Sequence, residues 1–277
     1  MTFQRVLLRL ATLPYGRVTW QRLLRRRVWV VEDGVGAGLR LKLPQNLEYV
    51  TGASELPVQR EIARRLAPGS VFYDIGANVG FFSIIAGRLV GQKGLVCAFE
   101  PYPPNAAMAR ENAALNGLAN FRLFEVAAGT NSRKDDLLVT HWDGGAALST
   151  SAARPPTITQ TTTVQVVALD DFIEAERLPL PDFVKIDVEG VEMEVLQGMS
   201  RTLTRCGPVL LYEVDDGDAD RFRRRWAELD EWVSQFGYDI CHLENSYPGL
   251  KWNVGHSVAV PSAGVARSTD HSSALLQ

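Results

Sequence analysis

VFYDIGANVGFFS, residues Val71 to Ser83, decides the fold. An apolar run rich in β-formers breaks at Gly76, passes Asn78 and Gly80, and resumes as the apolar stretch beginning at Phe81. That is a buried strand turning into a helix. Gly76 lets the backbone come close to a ligand and Gly80 lets the helix start tightly against it, since neither carries a Cβ. The spacing is GxxxG. It is neither the GxGxxG of nicotinamide and flavin binders nor the GxxxxGK[ST] of nucleoside triphosphate binders. Asp74 at the strand end suits a cationic ligand better than a pyrophosphate.

Working outward, strands and helices alternate. Helices are expected over 56–66, 81–90, 104–116, 191–203 and 219–236. Strands are expected over 71–75, 95–99, 121–126, 183–186, 209–214, 238–243 and 257–260. The pattern predicts an α/β fold, a doubly wound Rossmann-like sheet with helices on both faces and a final antiparallel strand. Residues 28–44 read as two short strands around a turn carrying Gly34, Gly36 and Gly38. No helix follows that turn, so it offers no pyrophosphate site. The polar stretch 129–163 reads as a hairpin or mobile loop over the site. The expected division is a basic helical segment and small hairpin over 1–54, the catalytic domain over 55–260, and a disordered tail over 261–277.

A net charge of −3 argues against a nucleic-acid partner, because phosphate binding draws on a basic excess. The 46% hydrophobic content is enough for one large core. Cys97, Cys206 and Cys241 show neither disulfide nor metal spacing, so a reducing, cytoplasmic setting is expected. Residues 1–31 hold Arg5, Arg9, Arg17, Arg22, Arg25, Arg26 and Arg27 and no acidic residue. This basic amphipathic segment either packs on its own domain or docks on an anionic membrane or a protein partner.

The second strand ends at Phe99, and Glu100 at its tip is placed to accept both ribose hydroxyls of a nucleoside. FVKIDVEG, residues Phe183 to Gly190, sets Asp187 and Glu189 just past a buried strand, and the neighbouring strand adds Glu213 to the same edge. A carboxylate there can take a proton from an attacking alcohol, and Asp187 is the first choice. Glu189 and Glu213 then orient the acceptor, or the trio holds a hard divalent cation, although no specific metal motif is present. Other roles for Glu189 and Glu213 are a helix cap and a partner for a lysine or arginine. Glu192 and Glu194 are expected on a solvated helix face. His256 and His141 are alternative bases, though a lone histidine is more often structural.

The combination of DIGANVGFFS from Asp74, Phe99-Glu100-Pro101, LDDF from Leu169, KIDVEG from Lys185 and VLQG from Val195 resembles the FkbM family of S-adenosylmethionine-dependent methyltransferases. The resemblance implies a class I methyltransferase fold and transfer to a hydroxyl of a small molecule, natural product or glycan. It makes Asp74, Gly76, Asn78, Gly80 and Glu100 cofactor contacts and puts Ala127 to Gly129 beside the adenine. Two rival readings are a non-catalytic module docking through the basic segment and a nicotinamide-dependent enzyme on a related sheet.

Overall fold

The computed structural model describes residues 27–42, 48–140, 146–151, 157–247 and 249–263. The basic segment up to residue 26, His141 and the tail beyond 263 lie outside the described residues. The described residues open on β1 (Trp29–Val30) and β2 (Arg40–Leu41), an antiparallel pair around the glycine-bearing turn. Next come α1 (Glu48–Thr51), α2 (Leu56–Arg65), β3 (Val71–Ile75) and α3 (Phe81–Val90). β4 (Leu95–Phe99), α4 (Pro103–Leu115) and β5 (Phe121–Phe124) follow. β6 (Ala127–Gly129), β7 (Arg133–Thr140), β8 (Ala146–Leu148) and β9 (Ile158–Ala168) come before α5 (Leu169–Ala175). β10 (Phe183–Ile186), α6 (Glu192–Gly198), α7 (Ser200–Arg205), β11 (Val209–Asp216), α8 (Ala219–Ser234), β12 (Tyr238–His242) and β13 (Asn253–Pro261) complete it.

The main sheet has seven strands in the order β12-β13-β11-β10-β3-β4-β5. The five strands from β11 to β5 run parallel, and β13 is antiparallel to both β11 and β12. The chain winds outward from β3 through β4 to β5, then returns to lay β10 against the other side of β3. The topological switch point is therefore the β3/β10 junction, where open α/β sheets keep their sites.

Strand alternation feeds two cores, one on each face of the sheet. Phe72, Val96, Phe183 and Leu211 pack with α2 and α3 on one face. Tyr73, Ile75, Val184, Ile186 and Tyr212 pack with the helices α5 to α8 on the other. The β1/β2 pair, expected outside the catalytic unit, buries Trp29, Val31, Leu39 and Leu41 in the first of these cores. Its backbone is fastened to α4, where Asn116 Oδ1 accepts from the Arg40 amide and Asn112 Oδ1 from that of Lys42.

Two expectations change. Of the hairpin or mobile loop expected over 129–163, the described residues show antiparallel pairing of β7 with β8 and β9, and this is part of a larger feature: β6, β9, β7 and β8 form a second, four-stranded sheet with its own cluster of Leu137, Val139, Leu148, Val164 and Val166. The helix expected over 191–203 is two helices, α6 and α7, separated at Met199. The LDDF motif begins α5, and the buried Asp170 carboxylate accepts from the Arg201 and Thr202 amides, so it caps the start of α7. Gly198, the last residue of VLQG, lies against β6: a Cβ there would sit 2.0 Å from the Gly129 carbonyl oxygen. Among the described residues no helix is long and apolar enough to cross a membrane.

Candidate active site

A cavity of about 210 Å³ opens at the carboxyl ends of β3, β4, β10 and β11. Gly76, Asn78, Phe99, Glu100 and Ala127 line one part, and Tyr49, Glu55, Asp187, Glu213 and Tyr247 another. Leu137, Ala146 and Leu148 of the second sheet supply an apolar wall. Among the described residues the lining carries five carboxylates, Glu55, Glu100, Asp187, Glu189 and Glu213, and no lysine or arginine.

The cofactor part is made by the β3–α3 turn. Gly76 has φ 81°, and a Cβ on it would stand 1.8 Å from the Asp187 carbonyl oxygen. The turn can cross the end of β10 only as glycine. Asn78, with φ 51°, donates its amide to Glu100 Oε2 at 2.8 Å, while the Tyr102 amide donates to Oε1 at 2.8 Å. Each oxygen keeps lone-pair capacity for a second donor such as a ribose hydroxyl. Burial outweighs these amides and pushes the Glu100 carboxyl up to about 7.

Asp74 and Gly80 do not line the cavity. The Asp74 carboxylate is buried and accepts from Ser83 Oγ on α3, and burial raises its pKa. Gly80 caps α3 in the left-handed region, where a Cβ would press on Ala109 of α4 at 3.1 Å. Asp74 ties the strand to α3 because the strand alternation that points Ile75 one way points Asp74 the other, and Gly80 lets α3 start close against α4.

Asp187 lines the cavity and pairs with Lys185 Nζ at 2.8 Å. Lys185 is 2% exposed, with its ammonium 4.8 Å over the Phe82 ring. Burial opposes its charge, but Asp187, then Asp74 and Glu55, outweigh it and raise its pKa. A lysine inside a strand reads as an exposed residue. Its burial becomes apparent only from its place beside Asp74 in the register.

Glu189 does not cap α6, which has no side-chain cap. It stands at φ 54°, lines the cavity, and is raised well above the carboxylate range by burial and by Asp215, Asp187 and Glu213. Glu192, expected in solvent, is buried: its Oε1 accepts from the Gly190 amide and its Oε2 pairs with Arg225 of α8 at 2.7 Å. Glu194 is partly exposed and paired with Arg133 at 2.8 Å.

Glu213 pairs with a histidine, not with a lysine or arginine. His256 faces it across β11/β13, with Nε2 2.7 Å from Glu213 Oε2 and 3.3 Å from Glu55 Oε2. Tyr247 donates to Glu55 Oε1 at 2.9 Å. Burial disfavours the imidazolium, yet Glu213 and Glu55 carry His256 above its usual range. Glu55, Tyr49 and Tyr247 give no sequence signal, being isolated residues of loop-like or helical segments far from any motif.

The Methyltransferase FkbM domain model matches residues 74–240, more than half of the chain. The 2-O-methyltransferase NoeI of Sinorhizobium fredii is 33% identical over 186 residues, 61% of this chain and 75% of that protein. The hexuronic acid methyltransferase AglP of Haloferax volcanii is 26% identical over 171 residues, covering 60% and 67% of the two chains. The crystal structure of an FkbM methyltransferase from Methylobacillus flagellatus overlays with a TM-score of 0.49 at 18% identity, covering 70% of this chain and 44% of that one.

Proposed function

The chain belongs to the FkbM methyltransferase family, and from that premise we propose that it uses S-adenosylmethionine to methylate a hydroxyl oxygen of a small molecule, natural product or glycan. The observation that carries this is the single cavity joining Gly76, Asn78 and Glu100 to Asp187 at the switch point. The lining fits the cofactor. Five carboxylates, with no lysine or arginine lining the cavity among the described residues, favour a sulfonium and an ammonium and repel phosphates. Phe99, Val126 and Ala127 offer an apolar bed for a purine, and Glu100 accepts the ribose hydroxyls.

When bound, S-adenosylmethionine supplies a methyl carbon whose bond to sulfur breaks, the electron pair leaving with sulfur, as an acceptor oxygen bonds to that carbon. Asp187 takes the proton of that hydroxyl, so the products are a methyl ether, the thioether and a protonated carboxyl. Lys185 holds the Asp187 carboxylate in place from behind. Glu189 and Glu213 orient the acceptor. The names of NoeI and AglP, a 2-O-methyltransferase and a hexuronic acid methyltransferase, favour a saccharide hydroxyl as the acceptor.

Calorimetry with S-adenosylhomocysteine and with NADH, followed by labelled-methyl transfer to saccharide and natural-product alcohols, tests the reading. Homocysteine-nucleoside binding and base-stable label on oxygen are expected. Binding of NADH alone would overturn it.

A further inference from the structure

Among the described residues, one group of side chains brings three metal-ligating atoms within 4.8 Å of one another: Glu55, Glu213 and His256. None is near the others in sequence. Glu55 ends the turn before α2 with φ 46°, a left-handed conformation that a glutamate adopts at a cost. Glu213 and His256 are cross-strand partners on β11 and β13. The imidazole is 1% exposed.

His256 Nε2 lies 2.7 Å from Glu213 Oε2 and 3.3 Å from Glu55 Oε2, and Nε2 and Glu55 Oε2 are fully buried, so three ligand-type atoms share one small enclosed space. Oxygens this close to a ring nitrogen stand at the separation of adjacent ligands around a shared ion. Ligands ~2.1 Å from one centre and at right angles to each other stand about 3 Å apart. Tyr247, bonded to Glu55 Oε1, fixes that carboxylate from outside the group, as partners of metal ligands do.

Resting on the methyltransferase reading, we propose that Glu55, Glu213 and His256 bind a divalent transition ion that holds the acceptor hydroxyl. One imidazole with two carboxylates suits Mn²⁺, Fe²⁺ or Zn²⁺ better than Mg²⁺ or Ca²⁺. Glu55 and Glu213 line the same cavity as Asp187, so an ion held by them would lie beside the acceptor. An ion there lowers the hydroxyl pKa and makes proton transfer to Asp187 easier. This differs from the cation site expected on Asp187, Glu189 and Glu213, since Asp187 is held by Lys185 and neither it nor Glu189 joins the group.

The test is titration of the chelator-treated full chain with Mn²⁺, read by the loss of the free-ion electron paramagnetic resonance signal, with Zn²⁺ by calorimetry. S-adenosylhomocysteine binding is measured on the same samples. One ion per chain is expected. Glu213→Gln and, separately, Glu55→Gln should weaken it at least about 10-fold, the lower range for changes around metal sites, while S-adenosylhomocysteine still binds and shows each variant folded. No stoichiometric uptake of either ion, or uptake unchanged in both variants, overturns the proposal. Failure of the unaltered protein to bind S-adenosylhomocysteine overturns the methyltransferase reading instead.

Discussion

Most of the cavity wall at the ends of β3 and β4 is cut from one short length of chain, Gly76 to Pro101, with Ala127 added from β6, and the Asn78 and Tyr102 amides hold its carboxylate, Glu100. The wall beyond β10 and β11 gathers Tyr49, Glu55, Asp187, Glu213 and Tyr247 from both ends of the fold, with His256 behind Glu213. Local assembly leaves a motif because spacing along the chain is spacing in the site. Remote assembly leaves none, because only the sheet order brings the parts together.

The largest effect that separates the two walls is Asp187→Asn. It keeps shape but removes the proton acceptor, so turnover should fall by about 10²–10⁴. Affinity for S-adenosylhomocysteine should stay within a few fold. Single-turnover rates beside calorimetry check this, and a wild-type rate would move the base to Glu189 or Glu213.

Gly76→Ala strikes where the walls touch. Its Cβ meets the Asp187 carbonyl oxygen at 1.8 Å and its φ is positive, so stability should drop by about 2–4 kcal/mol and both functions should fail together. Denaturant unfolding reads the loss. An unperturbed variant would mean that the turn does not cross β10 so closely.

Glu100→Ala should act on the cofactor wall alone, weakening S-adenosylhomocysteine by about 1.5–3 kcal/mol. The same residue sets a pH dependence. Its folded pKa lies near 7, above the ordinary value of 4.5. The charged form that accepts ribose hydroxyls is therefore depleted below neutrality, and affinity should rise with pH and level off above about 7. In the ligand-free protein the sign reverses. The native state binds the extra proton, so this group's contribution to stability declines as pH climbs from 4.5 to about 7. Thermal melts of the wild type and Glu100→Gln across that window should diverge.

The smallest effect concerns backbone strain. Glu55, Asn78 and Glu189 are three of the four described non-glycine residues with positive φ, and all three line the cavity. Glu189→Gly should raise stability by up to about 1 kcal/mol while lowering turnover. A stability loss would show that the Glu189 side chain contributes more than its conformation costs.

The parallel strands were legible because their apolar runs are uninterrupted, as at Val71–Ile75 and Phe183–Ile186. The second sheet was not. Most of Ile158–Thr163 is exposed, so β9 lacks the alternation that marks a half-buried strand, and its threonines look like loop residues despite their β preference. Gly76, Asn78, Glu100 and Ala127 line the cavity. Asp74 and Gly80, read from the same motif, support the turn from behind. Glu192 misled because a charged residue off an apolar stripe is usually solvated, whereas here Arg225 arrives from α8 to pair with it.

The order of strands at the antiparallel edge has a consequence for synthesis. β12 leaves the ribosome before β13, yet in the sheet it pairs only with β13, which lies between it and β11. Until β13 inserts, β12 has no place in the sheet and β11 presents an open edge. A nascent chain halted after α8 should therefore carry the whole glycine turn and Glu100 but lack His256, a half-finished site exposed to quality control until the last strand docks.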